Sequence, residues 1–438
     1  MKELTVTGHL SPYGVMTHPE TLRIFSALAA HGGKARFVGG IVRDALLKRP
    51  LQDVDIACDL MPGDTVTALE KDGIRVIPTG LKHGTVTAMT EHHSYEITTL
   101  RIDVNSDGRH ADVAFTDNWL ADAKRRDFTF NALYCDPDGT LYDPFDGETD
   151  LRVGRVRFIG IAEDRIAEDY LRIMRFFRFH AFYGRPPLDP IGAEACRKGA
   201  TGLRDISVER IRDELFKLLS AKAPAATIGE MIGFGVLPVP LPDVRNVARL
   251  RLMEWLEGPA LSDPAITIDP LRRLAALYVA PENPKGREAV AAGFARHLRL
   301  SGDQAERFAT MVLVWPLITA DMDADAVRRS LYRLGADAFR DAVLLAWADR
   351  GSRPPRPVLG ENARWQSLLD AARDWQHRPL PVMGRDILAA GLAPAGPQVG
   401  ALLAQAETYW LDRAMTPDHA ELMTFVADCA ARIRQETE

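Results

Sequence analysis

Asp53 and Asp55 stand two apart in Gln52-Asp53-Val54-Asp55-Ile56, within a run of β-type residues. Side chains alternate across a strand, so both carboxylates project from one face, close together. Two like charges at that separation repel unless a cation lies between them. Mg²⁺ suits the pair, being a hard ion that takes oxygen ligands, usually one or two carboxylates plus substrate phosphates. Upstream runs Gly39-Gly40-Ile41-Val42-Arg43-Asp44. Two glycines at a strand-to-helix turn would expose backbone N–H groups and a helix start to an anion, with Arg43 in reach of a phosphate. Glu96, in Tyr95-Glu96-Ile97-Thr98, interrupts a β-type run. It is the best candidate for the further carboxylate that two-metal phosphoryl transfer often takes from a neighbouring strand. Either an Asp-x-Asp or a Gly-Gly alone is usually an ordinary turn. Their combination on one strand–turn–helix–strand pattern points to phosphoryl transfer.

The elements that must position these groups are α/β in character over residues 1–150. A helical stretch at Thr21–His31 precedes a short run at Ala35–Val38, the glycine pair, and a helix at Ile41–Lys48. β-type runs follow at Val54–Ala57, Arg75–Ile77, Gly84–Met89, Ser94–Thr99 and Ala132–Cys135, separated by Gly, Pro and Asp. From about Ile161 the apolar residues recur at helical spacing, as in Ala167–Tyr183, Val208–Leu219, Pro270–Tyr278 and Leu422–Ile433. Proline clusters at Leu237–Pro242, Arg353–Pro357 and Pro379–Pro381 read as joints between helical subdomains. The expected architecture is an α/β head over 1–150, a helical neck over 151–222 and a helical body and tail over 223–438.

The chain of 438 residues carries a net charge of −6, which on average argues against a nucleic-acid binder. The average conceals a local asymmetry, because residues 151–222 hold 15 Lys/Arg against 10 Asp/Glu. Such a basic middle fits one RNA-facing groove, and equally a set of internally paired arginines. Four cysteines without a CxxC pair read as reduced thiols of a cytoplasmic protein rather than a zinc site or disulfide frame. No signal peptide or membrane span is expected, since charged residues and histidines interrupt each apolar stretch. Gly80–Thr85 lacks the GxxxxGK[ST] order of an ATPase phosphate loop.

Taken in order, the motifs resemble those of class II tRNA CCA-adding enzymes and bacterial poly(A) polymerases. Gly39–Asp44 with Asp53-Val54-Asp55 is similar to the family signature. Thr79–Thr85, Arg125–Ala132, Asp143–Gly147 with Asp150-Leu151, Glu168–Arg175, and Glu209–Ile211 with Glu214-Leu215 follow in the family's sequence. The likeness is dense over Phe37–Leu219 and thins afterwards. It implies an α+β chain: a polymerase-β-like nucleotidyltransferase head, then an all-α neck, body and tail. It further implies that Asp53 and Asp55 hold Mg²⁺, and that Gly39, Gly40 and Arg43 meet the triphosphate. Arg125, Arg126, Asp127 and Asn131 would line the nucleotide pocket, with Asp169, Arg172, Arg175 and Arg178 reading the nucleotide from the neck. The implied partners are tRNA, CTP and ATP, with no membrane and no obligate protein partner.

Asp169 and Arg172, three apart, would share a helix face. A carboxylate only accepts hydrogen bonds and a guanidinium only donates them. Cytosine and adenine both offer an amino group beside a ring acceptor, whereas uracil and guanine offer a carbonyl there. One Asp–Arg pair can therefore accept C and A and reject U and G, each mismatched polar group costing about 1–3 kcal/mol. Considered alone, the same stretch reads as a surface ion network, with Glu168–Arg172 at i,i+4 and Asp169–Arg172 at i,i+3. The run Arg172, Arg175, Arg178 exceeds its two acidic neighbours, which favours a ligand. The phenylalanines beside it read as core, with Phe176 the candidate for a base contact.

In the tail, Met383–Leu388 with Gly391 and Gly396–Gly400 could present backbone N–H groups to an RNA phosphate, or form a Gly-capped helix followed by a Pro-started one. None of the 11 histidines precedes an Asp, so no His-Asp phosphohydrolase activity is expected. Two rival functions remain: a poly(A) polymerase on the same head, and a catalytically idle RNA-binding protein. The head motifs, particularly Gly84–Thr87 and Arg125–Ala132, are most similar to the CCA-adding subgroup. The intact Asp53, Asp55, Arg43 and Arg172 argue against the idle protein.

Overall fold

The β-type runs assemble into one mixed sheet in which β5 and β6 alternate buried and more exposed residues, whereas β2 and β3 are buried almost throughout. In the computed structural model the described residues are 3–106, 111–261, 263–279, 284–355 and 358–437. Strands β1 (Gly8–His9), β2 (Ala35–Val38), β3 (Val54–Cys58), β4 (Arg75–Gly80), β5 (Thr85–Met89), β6 (Ser94–Thr99), β9 (Tyr134–Cys135) and β10 (Thr140–Tyr142) lie in the order β1-β10-β9-β2-β3-β6-β5-β4. The pair β3–β6 is parallel, and it sets Asp55 opposite Glu96. A separate antiparallel ribbon joins β7 (Arg101–Ser106) and β8 (Ala111–Phe115). The ribbon closes on Gly84, where φ is +81° and an added Cβ would come within 2.6 Å of the Phe115 ring. Only glycine satisfies both demands. The sequence placed β2 and β6 at their observed bounds. It missed β1, β10 and the ribbon, and it extended β9 back over Ala132 and Leu133, which follow a 3₁₀ turn at Thr129–Asn131.

Helix α1 (Pro19–Ala30) starts with proline at a position where its missing N–H costs nothing, and it buries Ile24, Phe25 and Leu28. Helix α2 (Gly40–Leu46) begins within the glycine pair, with Gly39 at its N-cap. After α3 (Pro62–Lys71), α4 (Trp119–Lys124) and α5 (Gly147–Val153), the stretch expected as one helix from Ala167 to Tyr183 is divided. Helix α6 covers Ala162–Glu168 and α7 covers Leu171–Tyr183, with Asp169 extended at φ −156°, ψ 106°. The break arises because the Asp169 carboxylate accepts the Leu171 N–H at 3.0 Å, offering the backbone a turn in place of a continuing helix. Helix α7 then buries Phe176 and Phe177 completely, Phe176 stacking on Phe158 at 5.6 Å. Burial of that kind contributes about 2–3 kcal/mol per ring. Helices α8 (Pro190–Gly199) and α9 (Val208–Leu219) complete this layer, α9 packing along α7.

The chain divides into two compact units, 1–247 and 248–438, so both expected boundaries, at 150 and 222, fall inside the first. The second unit is all-helical among its described residues. Its core holds charges as well as apolar groups: Arg272 bridges Glu257 at 2.7 Å and Asp341 at 2.8 Å, and Arg273 reaches Glu257 at 2.5 Å. In the tail, Gly384–Ala389 and Pro397–Asp412 are helices. The Gly391 N–H is spent on Leu388 O at 3.1 Å, so this glycine caps a helix rather than offering a donor to phosphate. The proline cluster at 353–357 lies partly outside the described residues, and a cis bond joins Pro354 to Pro355.

Candidate functional site

The site grows from the end of β3. Asp53 precedes the strand and Asp55 lies in it, two residues on and therefore on the same face. Gly39 adopts φ 67°, ψ −114° to turn the chain from β2 into α2. A Cβ on Gly40 would stand 3.9 Å from Asp55 Oδ2 and 3.7 Å from Arg43 Nη2. The positive φ of Gly39 makes the turn, and it brings the start of α2 into ordinary contact with the carboxylate.

A cavity of about 730 Å³ opens here within the first unit. Gly39, Gly40, Arg43, Asp53, Asp55, Arg125, Arg126, Asp127, Asn131, Asp169, Arg172, Arg175 and Arg178 all line it. Of the site residues expected from sequence, Glu96 and the candidate base contact Phe176 are absent from its lining. Glu96 is exposed, yet it faces Asp55 across the parallel pair and acts on it through charge. Burial, then the Glu96 carboxylate, push the Asp55 carboxyl up to about 6, with Asp53 adding to the rise and Arg126 and Arg43 opposing it. An all-oxygen donor set under mutual repulsion is what a hard divalent cation relieves, so Mg²⁺ fits these residues.

The arginines are held from behind. Arg125 and Arg126 both pair with the buried Asp122, at 2.7 and 3.0 Å. Although burial raises its pKa, those two arginines hold the Asp122 carboxyl well below the usual carboxylate range. Arg175 donates to Asp127 at 2.7 Å, Asn131 donates to Asp127 at 2.9 Å, and Arg43 donates to Asn131 Oδ1 at 2.8 Å. Burial raises the Asp127 carboxyl, but Arg175 and the Asn131 amide outweigh it and bring it to about 2. Asp127 and Asn131 are therefore the link that sets Arg43 and Arg175 in register. Arg178 pairs with Glu214 of α9 at 2.9 Å. The excess of arginine read from the local sequence is thus matched by Asp127 and Glu214, which are distant along the chain.

Two further expectations are corrected. Asp169 and Arg172 do not pair with each other: Asp169 accepts from Arg210 at 2.7 Å, and Arg172 donates to Glu168 at 2.5 Å and to the Arg165 carbonyl at 2.8 Å. The helix break leaves Asp169 outside α7 in extended backbone while Arg172 lies in the first turn of α7, and both line the cavity. Phe176 is fully buried in the core, and Phe179 lines the cavity instead. Asp44, Arg101 and Arg210 also line it without having been singled out. Arg210 sits within the Glu209-Arg210-Ile211 motif, so a signal for it was present. Asp44 closes the Gly39–Asp44 run and had a signal too, whereas Arg101 carried none.

An acidic pair on a central strand, a glycine turn against it and an arginine-lined cavity on a mixed sheet define a nucleotidyltransferase head. Comparison with known proteins narrows the class. A family model described as the Poly A polymerase head domain matches residues 35–157, and one described as the probable RNA and SrmB- binding site of polymerase A matches residues 188–247. The chain is 34% identical over 411 residues to CCA tRNA nucleotidyltransferase 1, mitochondrial, of Mus musculus, spanning 91% of this chain and 87% of that one. It is 32% identical over 411 residues to the CCA-adding enzyme of Lactobacillus johnsonii, spanning 93% and 96%. Its structure resembles that of the Bacillus stearothermophilus CCA-adding enzyme in complex with CTP, with a TM-score of 0.73 at 26% identity over 97% of this chain and 100% of that one. The chain belongs to the CCA tRNA nucleotidyltransferase family, with the polymerase-β-like head and helical remainder of an α+β protein. No helix of the described residues is long and apolar enough to cross a membrane.

Proposed function

We propose that the chain adds CCA to tRNA 3′ ends from CTP and ATP, without a nucleic-acid template and with release of pyrophosphate. The observation that carries this reading is the single cavity shared by Asp53, Asp55, Arg43, Asp169 and Arg172. The names of its relatives, CCA-adding enzymes of bacteria and mitochondria, support the same substrate.

In the proposed reaction the RNA 3′-hydroxyl attacks the α-phosphate and pyrophosphate leaves, with no covalent enzyme intermediate. Asp53 and Asp55 would hold Mg²⁺, which when bound lowers the pKa of the attacking hydroxyl and steadies the leaving oxygens. Glu96 keeps the Asp55 site electron-rich from the neighbouring strand. Arg43, fixed by Asn131, meets the triphosphate together with the Gly39-Gly40 backbone. Arg125, Arg126, Arg175 and Arg178 hold the nucleotide from walls that their carboxylate partners make rigid, so little ordering is required on binding.

Base choice rests on Asp169 and Arg172 acting separately. Asp169 uses one oxygen for the Leu171 N–H and the other for Arg210, and an ionised carboxylate still has lone pairs for an exocyclic amino group. Arg172 supplies a donor for the neighbouring ring acceptor. We assign the protein to the reducing cytoplasm, a reading supported by four buried free thiols.

The test uses tRNA transcripts lacking CCA, lacking only the terminal A, or complete, each with CTP, ATP or both. Addition that stops after the terminal A is expected. A long A tail would identify a poly(A) polymerase instead, and no incorporation into any transcript would leave an idle RNA-binding protein.

A further inference from the structure

Outside the cavity lining, three imidazoles gather around one carboxylate. His18 immediately precedes α1, Glu20 lies in its first turn, and His92 and His93 occupy the turn that joins β5 to β6. His93 Nδ1 stands 3.2 Å and His18 Nδ1 3.9 Å from Glu20 Oε2, while His92 Nδ1 stands 2.9 Å from Oε1. The ligand atoms of His18, Glu20 and His93 all lie within 4.8 Å of one another.

Both backbones that carry these groups are already fixed. The Tyr95 and Thr21 hydroxyls meet at 3.0 Å in the core, tying β6 to α1, and the Thr21 hydroxyl donates to Val15 O at 2.6 Å. The Thr90 N–H closes the turn on His93 O at 3.0 Å, and the Thr90 hydroxyl donates to Glu20 Oε2 at 2.6 Å. The side chains therefore converge on a built frame rather than meeting by chance at a mobile surface.

We propose that His18, Glu20 and His93 form a site for a borderline divalent cation of the Zn²⁺ class, with His92 orienting the Glu20 carboxylate. Tetrahedral coordination at about 2.0–2.1 Å places neighbouring ligand atoms roughly 3.3 Å apart. The His93–Glu20 separation of 3.2 Å already meets that spacing, and His18, at 3.9 Å, exchanges the 3.4 Å hydrogen bond that its Nδ1 accepts from the Glu20 N–H for the cation. The cation takes the place between His93 Nδ1 and Oε2 that a hydrogen bond now spans. The ligands are 37%, 19% and 31% exposed at the side chain for His18, Glu20 and His93, which leaves the fourth position to water. Two imidazoles and a carboxylate suit zinc, nickel or copper, whereas Mg²⁺ prefers oxygen ligands in octahedral geometry. The chain thus offers two cation sites of different chemistry, all-oxygen at Asp53 and Asp55 and mixed nitrogen–oxygen here. Occupation of the second clips the start of α1 to the β5–β6 turn across 73 residues.

The test titrates the metal-stripped full chain with ZnCl₂ against a chromogenic chelator, with excess MgCl₂ present and absent, and records Tm in parallel. One Zn²⁺ per chain is expected, undiminished by MgCl₂ and raising Tm. Affinity should fall at least about tenfold in His18→Ala and in His93→Ala, while Mg²⁺-supported incorporation stays at the parent level. Absence of binding at micromolar zinc, displacement by MgCl₂, or unchanged zinc affinity in both variants would overturn the proposal. Should an alanine variant fail to fold, His18→Gln and His93→Gln, matched to the parent in metal-free Tm, carry the same comparison.

Discussion

Both units contain arginine–carboxylate networks, and the two are built to different ends. In the second unit three arginines (Arg272, Arg273, Arg307) meet three carboxylates (Glu257, Asp269, Asp341), and the Glu257 side chain is wholly buried. In the first unit eight arginines but five aspartates line the cavity. The balancing carboxylates, Asp122, Glu168 and Glu214, stand behind the arginines rather than on the cavity surface. A closed network of equal charges fixes a core and has nothing to offer a ligand. A network whose cations face a cavity and whose anions back it presents a positive surface that is rigid before any anion arrives. The difference lies in which partner faces the opening, not in how many pairs are made.

Two substitutions should separate these roles in opposite directions. Asp53→Ala is expected to lower kcat/KM for CTP incorporation at least about 10³-fold, equivalent to ~4 kcal/mol, with little change in the urea midpoint. Glu257→Gln should do the reverse, costing about 3–4 kcal/mol of stability because it leaves Arg272 and Arg273 buried without their shared carboxylate. Incorporation per folded molecule should be unchanged. If Asp53→Ala retains turnover, or if Glu257→Gln unfolds at the parent's urea midpoint, the contrast between the units fails.

The sequence showed the cavity's front more clearly than its back. Asp53, Asp55, Gly39, Gly40 and the arginines of α7 lie in short local patterns, where strand alternation or helical spacing can be read directly. Their partners come from far away: Asp127 is 48 positions from Arg175, and Asn131, bonded to Arg43, is 88 positions away. No local pattern carries pairings of that range. The break at Asp169 was hidden for a different reason. Ile166 and Ile173 keep the helical spacing of buried residues through it, and neither Gly nor Pro marks the turn. Strands β1 and β10, of two and three residues, are too short to show alternation.

Asp169 gives an intermediate test of the cavity network. In Asp169→Asn the side-chain oxygen can still accept the Leu171 N–H, preserving the turn, but the amide adds donors that a uracil carbonyl can use. Discrimination between CTP and UTP should therefore fall by about 1–2 kcal/mol, or roughly tenfold, while addition of C persists. The check is the ratio of kcat/KM values for the two nucleotides. An unchanged ratio would remove Asp169 from base choice.

The smallest effect sharpens the comparison most, because it is a gain. The Asp55 carboxyl lies at about 6 in the folded chain against an ordinary value of 3.8, so folding opposes its ionisation. A carboxyl raised in this way binds its proton more tightly when folded. Its contribution to stability is complete below about 4 and is lost as pH rises through about 6. Above pH 7 the ionised group is a liability of at most ~3 kcal/mol, reduced by its partial exposure to about 1–2 kcal/mol. Asp55→Asn removes that liability, so without divalent cations the variant should be more stable than the parent at pH 8, and the gain should vanish near pH 4. Adding MgCl₂ at pH 8 should raise the parent's Tm and leave the variant's unchanged. In the second unit burial raises the Glu257 carboxyl too, but there the charge is shared by Arg272 and Arg273, so removing it strands two buried cations and gives a loss in place of a gain. Equal Tm for parent and variant at pH 8 without metal would show that Asp55 carries no repulsion for a cation to relieve.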